Sequence, residues 1–264
     1  MQKEEIKFQN SLYFEGMTSI RAIIRGIDNG TNTRKIKEIY YDKARMDKIH
    51  KEVGYLRAVA DKYGYTLIES DADFLEEKTL GNSHGGLVAL CEKRELPSLA
   101  CSDIKPDGFY AMIQGIEDPY NFGYALRSLY ACGCDAIILG KRNWLGAAGV
   151  VCRSSAGASE MFMIYECDEI EAAEKFSECG YNIVCADERT DNLLGQCEIP
   201  YPTLLIVGGE KRGINRALIE KATMLVKIPY AREFKASLSA ASATTMFAYE
   251  IMRQKLTFVD KNNH

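Results

Sequence analysis

Short apolar runs alternate with helical patterns through the second half of the chain. Each run has the length of one strand, and continuous apolar strands are typical of a parallel sheet that is covered on both faces. The runs are 109–113, 136–139, 181–186, 204–207 and 224–228, and the helical patterns are 122–132, 168–179, 215–221 and 236–253. This alternation predicts an α/β domain with a largely parallel sheet and helices on both faces.

The first 97 residues show a smaller α/β pattern of their own. Strands are predicted at 37–41, 66–68 and 86–91, and helices at 47–63, at 71–79 and from residue 15 onwards, after a polar, loosely ordered start at 1–12. A stretch with two prolines and no periodic pattern, 95–108, follows this pattern. We therefore predict a first domain at 1–97, a linker at 98–107 and a second domain at 108–264.

Composition narrows the possible functions. The chain is 47% hydrophobic and 27% charged, as in soluble globular proteins, with no apolar run long enough to cross a membrane. Its nine cysteines include no C-x-x-C pair and it has three histidines, so we predict no metal site and a reducing, cytoplasmic location. The net charge of −4 argues against a general polyanion binder, so RNA binding would need a local basic patch.

A polar motif, DPYNFGYALR, follows the strand at 109–113 and occupies Asp118–Arg127. Asn121 is a good candidate for a helix N-cap, because its side chain can accept a hydrogen bond from an early backbone N–H. Arg127 is six residues further on, about 600° of helical rotation, so the two residues share no face of one regular helix. They can converge on a substrate only if Asn121 belongs to the loop.

A glycine turn, Gly208–Gly209, ends the strand at 204–207 and leads into the charged residues 210–212. Ligands of open α/β sheets bind at such turns, at the carboxyl ends of parallel strands. A second strand then stops at Ile228–Pro229, and Ser237–Leu238 precedes the last helical pattern.

Together, these three segments resemble the three motifs of the SpoU/TrmH family of RNA ribose methyltransferases. The resemblance implies a deep trefoil knot in the second domain, S-adenosylmethionine as the cofactor, and methylation of a ribose 2′-hydroxyl in rRNA or tRNA. It also implies a homodimer whose active site draws on both subunits. The first domain resembles the family's RNA substrate-recognition domain.

Candidate site residues follow from the same resemblance. Arg127 would activate the hydroxyl, and we favour a role in which it grips the neighbouring phosphate and stabilises the oxyanion, since arginine is hard to deprotonate. The other catalytic candidates are Asn121, Glu210 and Ser237. The cofactor candidates, acting largely through backbone groups, are Gly208, Gly209, Ile228, Pro229 and Leu238.

RNA contacts are expected in two places. Arg153 and Ser154 match a further family stretch and could line the RNA side. In the first domain, the candidates are Arg21, Arg25 and His84. His84 could instead be a turn residue that hydrogen-bonds the backbone, and the basic residues, with Arg34, Lys35 and Lys37, could be merely a solvated surface.

The third motif departs from the family pattern at two positions. Ser239 stands where the family usually has asparagine, and Ala241 where it usually has serine. This leaves open an alternative function, a non-catalytic RNA-binding or ribosome-assembly factor on the same scaffold. A third reading, a nucleotide-dependent enzyme that uses Gly208–Gly209 as a phosphate turn, lacks the G-x-G-x-x-G and P-loop patterns. The acceptor, ribose or base, stays open.

Overall fold

A computed structural model describes residues 12–79, 84–116, 118–140, 147–209 and 212–262, with side chains up to 256. Contacts divide these residues into two units. The first contains residues 12–79, 84–95 and 147–161, and the second contains 96–116, 118–140, 162–209 and 212–262. The segment 147–161, which the sequence analysis assigned to the second domain, therefore packs with the first unit.

The first unit is built on a mixed four-stranded sheet. Strand order is β1-β4-β2-β3, in which β2 and β3 are parallel and the other pairs are antiparallel. The strands are β1 (Tyr13–Glu15), β2 (Ile36–Asp42), β3 (Thr66–Ser70) and β4 (Leu87–Cys91). The three predicted strands are confirmed, whereas β1 was not predicted.

The second unit is built on a six-stranded sheet in the order β10-β8-β9-β5-β6-β7. Every pairing in it is parallel, which confirms the predicted parallel sheet. Its strands are β5 (Phe109–Ile113), β6 (Ala136–Leu139), β7 (Met163–Glu166), β8 (Asn182–Ala186), β9 (Thr203–Val207) and β10 (Met224–Val226). Strand β7 was not predicted.

The α-helices in the described ranges are α1 (Gly16–Asp28), α2 (Met46–Tyr63), α3 (Ala72–Lys78), α4 (Pro119–Ala131), α5 (Ala148–Ser154), α6 (Ala158–Met161), α7 (Glu169–Glu178), α8 (Arg216–Ile219) and α9 (Ala240–Asn262). Each unit has its own apolar core. In the first, α1 buries Ile20, Ile23 and Ile24, because residues three and four apart lie on one face of a helix. None of the helices in these ranges is long and apolar enough to span a membrane.

Candidate active site

The turn after β9 lies beside the end of β5. The two strands run parallel and in step, with Ile113 opposite Val207, and the N–H of Gln114 donates to the carbonyl oxygen of Val207 at 2.9 Å. The segments that follow β5 and β9 therefore leave the sheet at the same edge, which is where ligands of parallel sheets bind.

Backbone segments in this turn approach one another too closely for side chains. A Cβ on Gly209 would lie 2.0 Å from the carbonyl oxygen of Gly115, and one on Gly208 would lie 2.3 Å from the carbonyl carbon of Gly213. The N–H of Gly213 also donates to the carbonyl oxygen of Gly209 at 3.0 Å. The turn is therefore lined by backbone, and alanine at either of the first two glycines would force the segments apart.

Helix α4 carries the first motif and starts earlier than predicted. Its N-cap is Asp118, whose Oδ1 accepts from the N–H of Tyr120 at 2.7 Å, and Pro119 occupies the first helical position. The prediction that Asn121 caps the helix is therefore wrong. Proline at the first position and aspartate before it define the start instead.

Asn121 and Arg127 both lie within α4. The condition under which they could converge, that Asn121 lies in the loop, is not met, and the two side chains leave the helix in directions about 120° apart. Arg127 is exposed, and no carboxylate of the described residues forms a salt bridge with it. Its guanidinium is therefore available to an anion from outside the chain.

The third motif frames a loop between β10 and α9. Ile228 and Leu238 are half-buried, whereas Pro229 and Ser237 are exposed. The N–H of Leu238 donates to the hydroxyl oxygen of Tyr230 at 3.1 Å, which ties the two ends of the loop together. This hydrogen bond brings the chain just after Pro229 close to the chain at Leu238.

Ser239 has a structural role at the start of α9. Its Oγ accepts from the N–H of Ser242 at 3.1 Å, the geometry of an N-cap. Serine and asparagine are comparable N-cap residues, so the departure at this position preserves the start of the helix. Glu210, the remaining catalytic candidate, lies outside the described residues.

Two predicted RNA-binding residues border one cavity in the first unit. The cavity has a volume of about 420 Å³ and lies at the amino end of α1, where Arg153 and His84 line it. A guanidinium nitrogen of Arg153 lies 3.0 Å from the carboxylate of Glu15. His84 is buried, its Nδ1 accepts from the N–H of Gly86 at 3.1 Å, and burial lowers its pKa. His84 therefore has the alternative role predicted for it, that of a turn residue that hydrogen-bonds the backbone.

The other RNA candidates differ in exposure. Ser154 is buried, and its hydroxyl donates to the carbonyl oxygen of Val150 at 2.9 Å, which argues against direct RNA contact. Arg21 and Arg25 are exposed and four residues apart on α1, so they share a face. Arg34 does not belong to this basic surface because it is buried.

A buried charged cluster that the sequence analysis missed contains Arg34. Its Nε lies 2.8 Å from Oε2 of Glu160, which also accepts from the side-chain amide of Asn32 at 2.8 Å. Arg94 is buried nearby and donates to the carbonyl oxygen of Ser159 at 2.9 Å. The pattern of one sequence cannot pair Arg34 with a residue 126 positions away. Within the described ranges, no group of three or more metal-ligating side chains is present.

Comparison with known proteins identifies the family. The SpoU rRNA Methylase family model matches residues 108–249, more than half of the chain. The chain therefore belongs to this family, and the resemblance predicted from its motifs is confirmed.

Similar proteins include named RNA methyltransferases. The 23S rRNA (guanosine-2′-O-)-methyltransferase RlmB of Shewanella oneidensis is 26% identical over 262 residues, covering 97% of this chain and 99% of that protein. RlmB of Ralstonia nicotianae is 27% identical over 231 residues, covering 85% and 90%. The SpoU methyltransferase AviRb of Streptomyces viridochromogenes, solved in complex with AdoMet, has the same fold, with a TM-score of 0.75 at 22% identity over 92% of this chain and 90% of that one.

Proposed function

We propose that this protein transfers a methyl group from S-adenosylmethionine to a ribose 2′-hydroxyl of rRNA or tRNA. Membership of the SpoU rRNA Methylase family supports the reaction class, and the 2′-O-methyltransferase activity of the RlmB relatives supports the 2′-hydroxyl as the acceptor. The observation that carries the proposal is the backbone-lined turn at the carboxyl end of β9, directly beside the end of β5 that leads to the first motif.

The cofactor would be held mainly by backbone groups. Gly208 and Gly209 have no room for side chains, so these two residues can contribute only backbone groups to the cofactor site. Ile228, Pro229 and Leu238 would complete the pocket from the loop that Tyr230 closes. Bound there, S-adenosylmethionine supplies an activated methyl group on a sulfonium.

The reaction itself needs little covalent help from the protein. The O2′ of the ribose attacks the methyl carbon in line, the O2′–C bond forms as the S–C bond breaks, and S-adenosylhomocysteine leaves. The hydroxyl proton passes to a phosphate oxygen or to water. The protein's contribution is then to position the two reactants and to stabilise the developing alkoxide.

We assign that stabilisation to Arg127. It is exposed and makes no salt bridge within the described chain, so it can grip an RNA phosphate and the oxyanion together. The side chain of Asn121 points away from α4 in another direction than that of Arg127, so it would contact a different group, such as the cofactor. Ser237 and Glu210 are proposed as further polar groups of the site.

A knot and a homodimer complete the proposal. The strand order, in which β9 lies between β8 and β5 while β10 lies beyond β8, is compatible with a trefoil knot that includes residues 203–239. Exposed apolar side chains on α4 and α9, Tyr124, Met246 and Tyr249, support a dimer interface at these helices.

RNA recognition is assigned to the first unit. Arg21 and Arg25 would contact phosphates, and the cavity beside Arg153 and His84 would take an RNA group. These arginines would form the local basic patch that RNA binding needs in a chain with a net charge of −4. The cytoplasmic location stays a prediction.

The experiment that tests this function uses Arg127→Ala. Labelled S-adenosylmethionine is incubated with bulk rRNA or tRNA and with the parent protein, Arg127→Ala or the control Arg57→Ala, which replaces an exposed arginine of α2. We expect Arg127→Ala to abolish methyl transfer while calorimetry shows unchanged cofactor binding, and Arg57→Ala to keep both. Unchanged turnover in Arg127→Ala would overturn the assignment. RNA binding without turnover by the parent would favour the non-catalytic alternative.

A further inference from the structure

Gln114 connects three separate segments at the carboxyl edge of the second sheet. It is the first residue after β5, and its side-chain Oε1 accepts from the backbone N–H of Asn215 at 2.8 Å. Its Nε2 donates to Oε2 of Glu169, the first residue of α7. One half-buried carboxamide therefore links the ends of β5 and β7 to the chain that follows β9.

We call the segment from Gly208 to Asn215 the cofactor turn, and Asn215 is its last residue. Its N–H is held by Gln114, and its own Oδ1 accepts from the N–H of Ala217 at 3.0 Å, which caps α8. At the other end of the turn, Gly209 packs closely against the backbone of Gly115. The described ends of the turn thus contact two consecutive residues, 114 and 115.

The orientation of the carboxamide is determined by its two partners. A backbone N–H can only donate, so it requires the oxygen of Gln114, and an ionised carboxylate can only accept, so it requires the nitrogen. Rotating the amide by half a turn would place donor against donor at Asn215 and acceptor against acceptor at Glu169. Glu169 therefore selects the orientation in which Gln114 can hold the turn.

We propose that Gln114 is a positioning residue for methyl transfer, which sets the geometry of the cofactor turn, and that Glu169 fixes the direction of its carboxamide. This inference rests on the proposed function, because it takes the Gly208–Gly209 turn as the S-adenosylmethionine site. Neither residue touches the cofactor in this account. Both act through the backbone of Asn215.

Exchanging the two side chains gives a specific test. Gln114→Glu removes the donor and places a second carboxylate against Glu169, so we expect cofactor affinity to fall about ten- to hundredfold. In the exchange variant Gln114→Glu/Glu169→Gln, the new carboxylate accepts from both Asn215 and Gln at 169, so both hydrogen bonds return. We expect its affinity to lie within about threefold of the parent.

A pH series separates positioning from simple stabilisation. In Gln114→Glu, the two facing carboxylates share a proton as the pH falls, because like charges raise the pKa of one of the pair. Burial already raises the pKa of Glu169, and the negative charge of Asp168 raises it further, so both strengthen this effect. The protonated acid donates to Glu169 and accepts from Asn215, as glutamine does, so the affinity deficit should shrink from pH 8 towards pH 5.5.

The measurement is calorimetric titration with S-adenosylmethionine, with circular dichroism to verify folding. The control is Glu178→Gln, which removes an exposed carboxylate from the same helix, α7, and should not change affinity. A parent that fails to bind would overturn the proposed function itself. A parent that binds alongside an unaffected Gln114→Glu would overturn this inference alone. If Gln114→Glu does not fold, a folded exchange variant with lost affinity would also overturn it.

Discussion

Replacing Glu160 should destabilise the first unit more than the loss of any surface ion pair would. The carboxylate is buried and accepts two hydrogen bonds from Arg34, at 2.8 and 3.2 Å, and one from Asn32 at 2.8 Å. Arg34 and Arg94 are themselves only 3% and 5% exposed. In Glu160→Ala, both cations would stay buried without this anion.

The size of the effect follows from this burial. Removing one partner of a buried ion pair costs about 3–5 kcal/mol, because the remaining charge is neither solvated nor paired. The individual hydrogen bonds are not additive, so we take this range rather than their sum. Since Asn32, Arg34 and Arg94 come from the first 95 residues and Glu160 from α6, the loss should also loosen the segment 147–161.

The assay is urea unfolding followed by circular dichroism, combined with hydrogen exchange to locate the loss of protection. The matched control is Glu171→Ala, which breaks an ion pair at 2.6 Å between the exposed Glu171 and the half-buried Lys175 and should cost less than about 0.5 kcal/mol. We expect lost protection in the amides of the first unit in Glu160→Ala. A free energy of unfolding within about 1 kcal/mol of the parent would show that Glu160 does not neutralise buried cations.

The same pair gives a pH dependence. Burial raises the pKa of Glu160, but the charge and hydrogen bonds of Arg34 outweigh burial and hold the pKa below its ordinary value. A lowered pKa in the folded state contributes stability above the pKa of unfolded glutamate, and this stability is lost as the pH falls through the folded value. The difference in unfolding free energy between the parent and Glu160→Gln should therefore be largest near neutral pH and shrink under acid.

Two further predictions concern the cofactor turn and the last helix. Gly209→Ala should abolish S-adenosylmethionine binding in calorimetry, because the new Cβ would lie 2.0 Å from the carbonyl oxygen of Gly115. The control Gly54→Ala should bind normally, since no atom lies within 4 Å of the Cβ added there. Normal binding by Gly209→Ala would disprove the close approach. Ser239→Ala should lower the stability measured by thermal unfolding by about 0.5–2 kcal/mol, because it removes the N-cap hydrogen bond from the N–H of Ser242. Ser239→Asn should keep parental stability. Equal melting temperatures of the parent and both variants would contradict the capping role.

The sheet of the second unit was largely predictable from the sequence. Strands β5 and β6 were predicted with their observed limits, because continuous apolar runs identify buried parallel strands. Strand β7, Met163–Glu166, was missed because it is an edge strand with half-buried ends, and its sequence does not form a fully apolar run like that of β6. Helices α5 and α6 were also missed, since their glycine, alanine and serine content carries little amphipathic signal and packing decides their structure.

The site shows where sequence patterns are sufficient and where they are not. Asp118–Pro119 was a readable signal for the start of α4, and Asn121 was chosen over it in error. The glycine turn was placed correctly because Gly208–Gly209 ends an apolar run. In contrast, the contact of Gln114 with Asn215 spans 101 residues, and only the folded sheet brings these residues together.

The most direct test of the account is the identity of the methylated group. Bulk rRNA and tRNA are incubated with the parent protein and S-adenosylmethionine, digested to nucleosides and analysed by mass spectrometry. We expect a nucleoside that carries the new methyl group on its ribose, and none in the Arg127→Ala reaction. A methyl group on a base, or no transfer to either RNA by a folded protein that binds the cofactor, would contradict it.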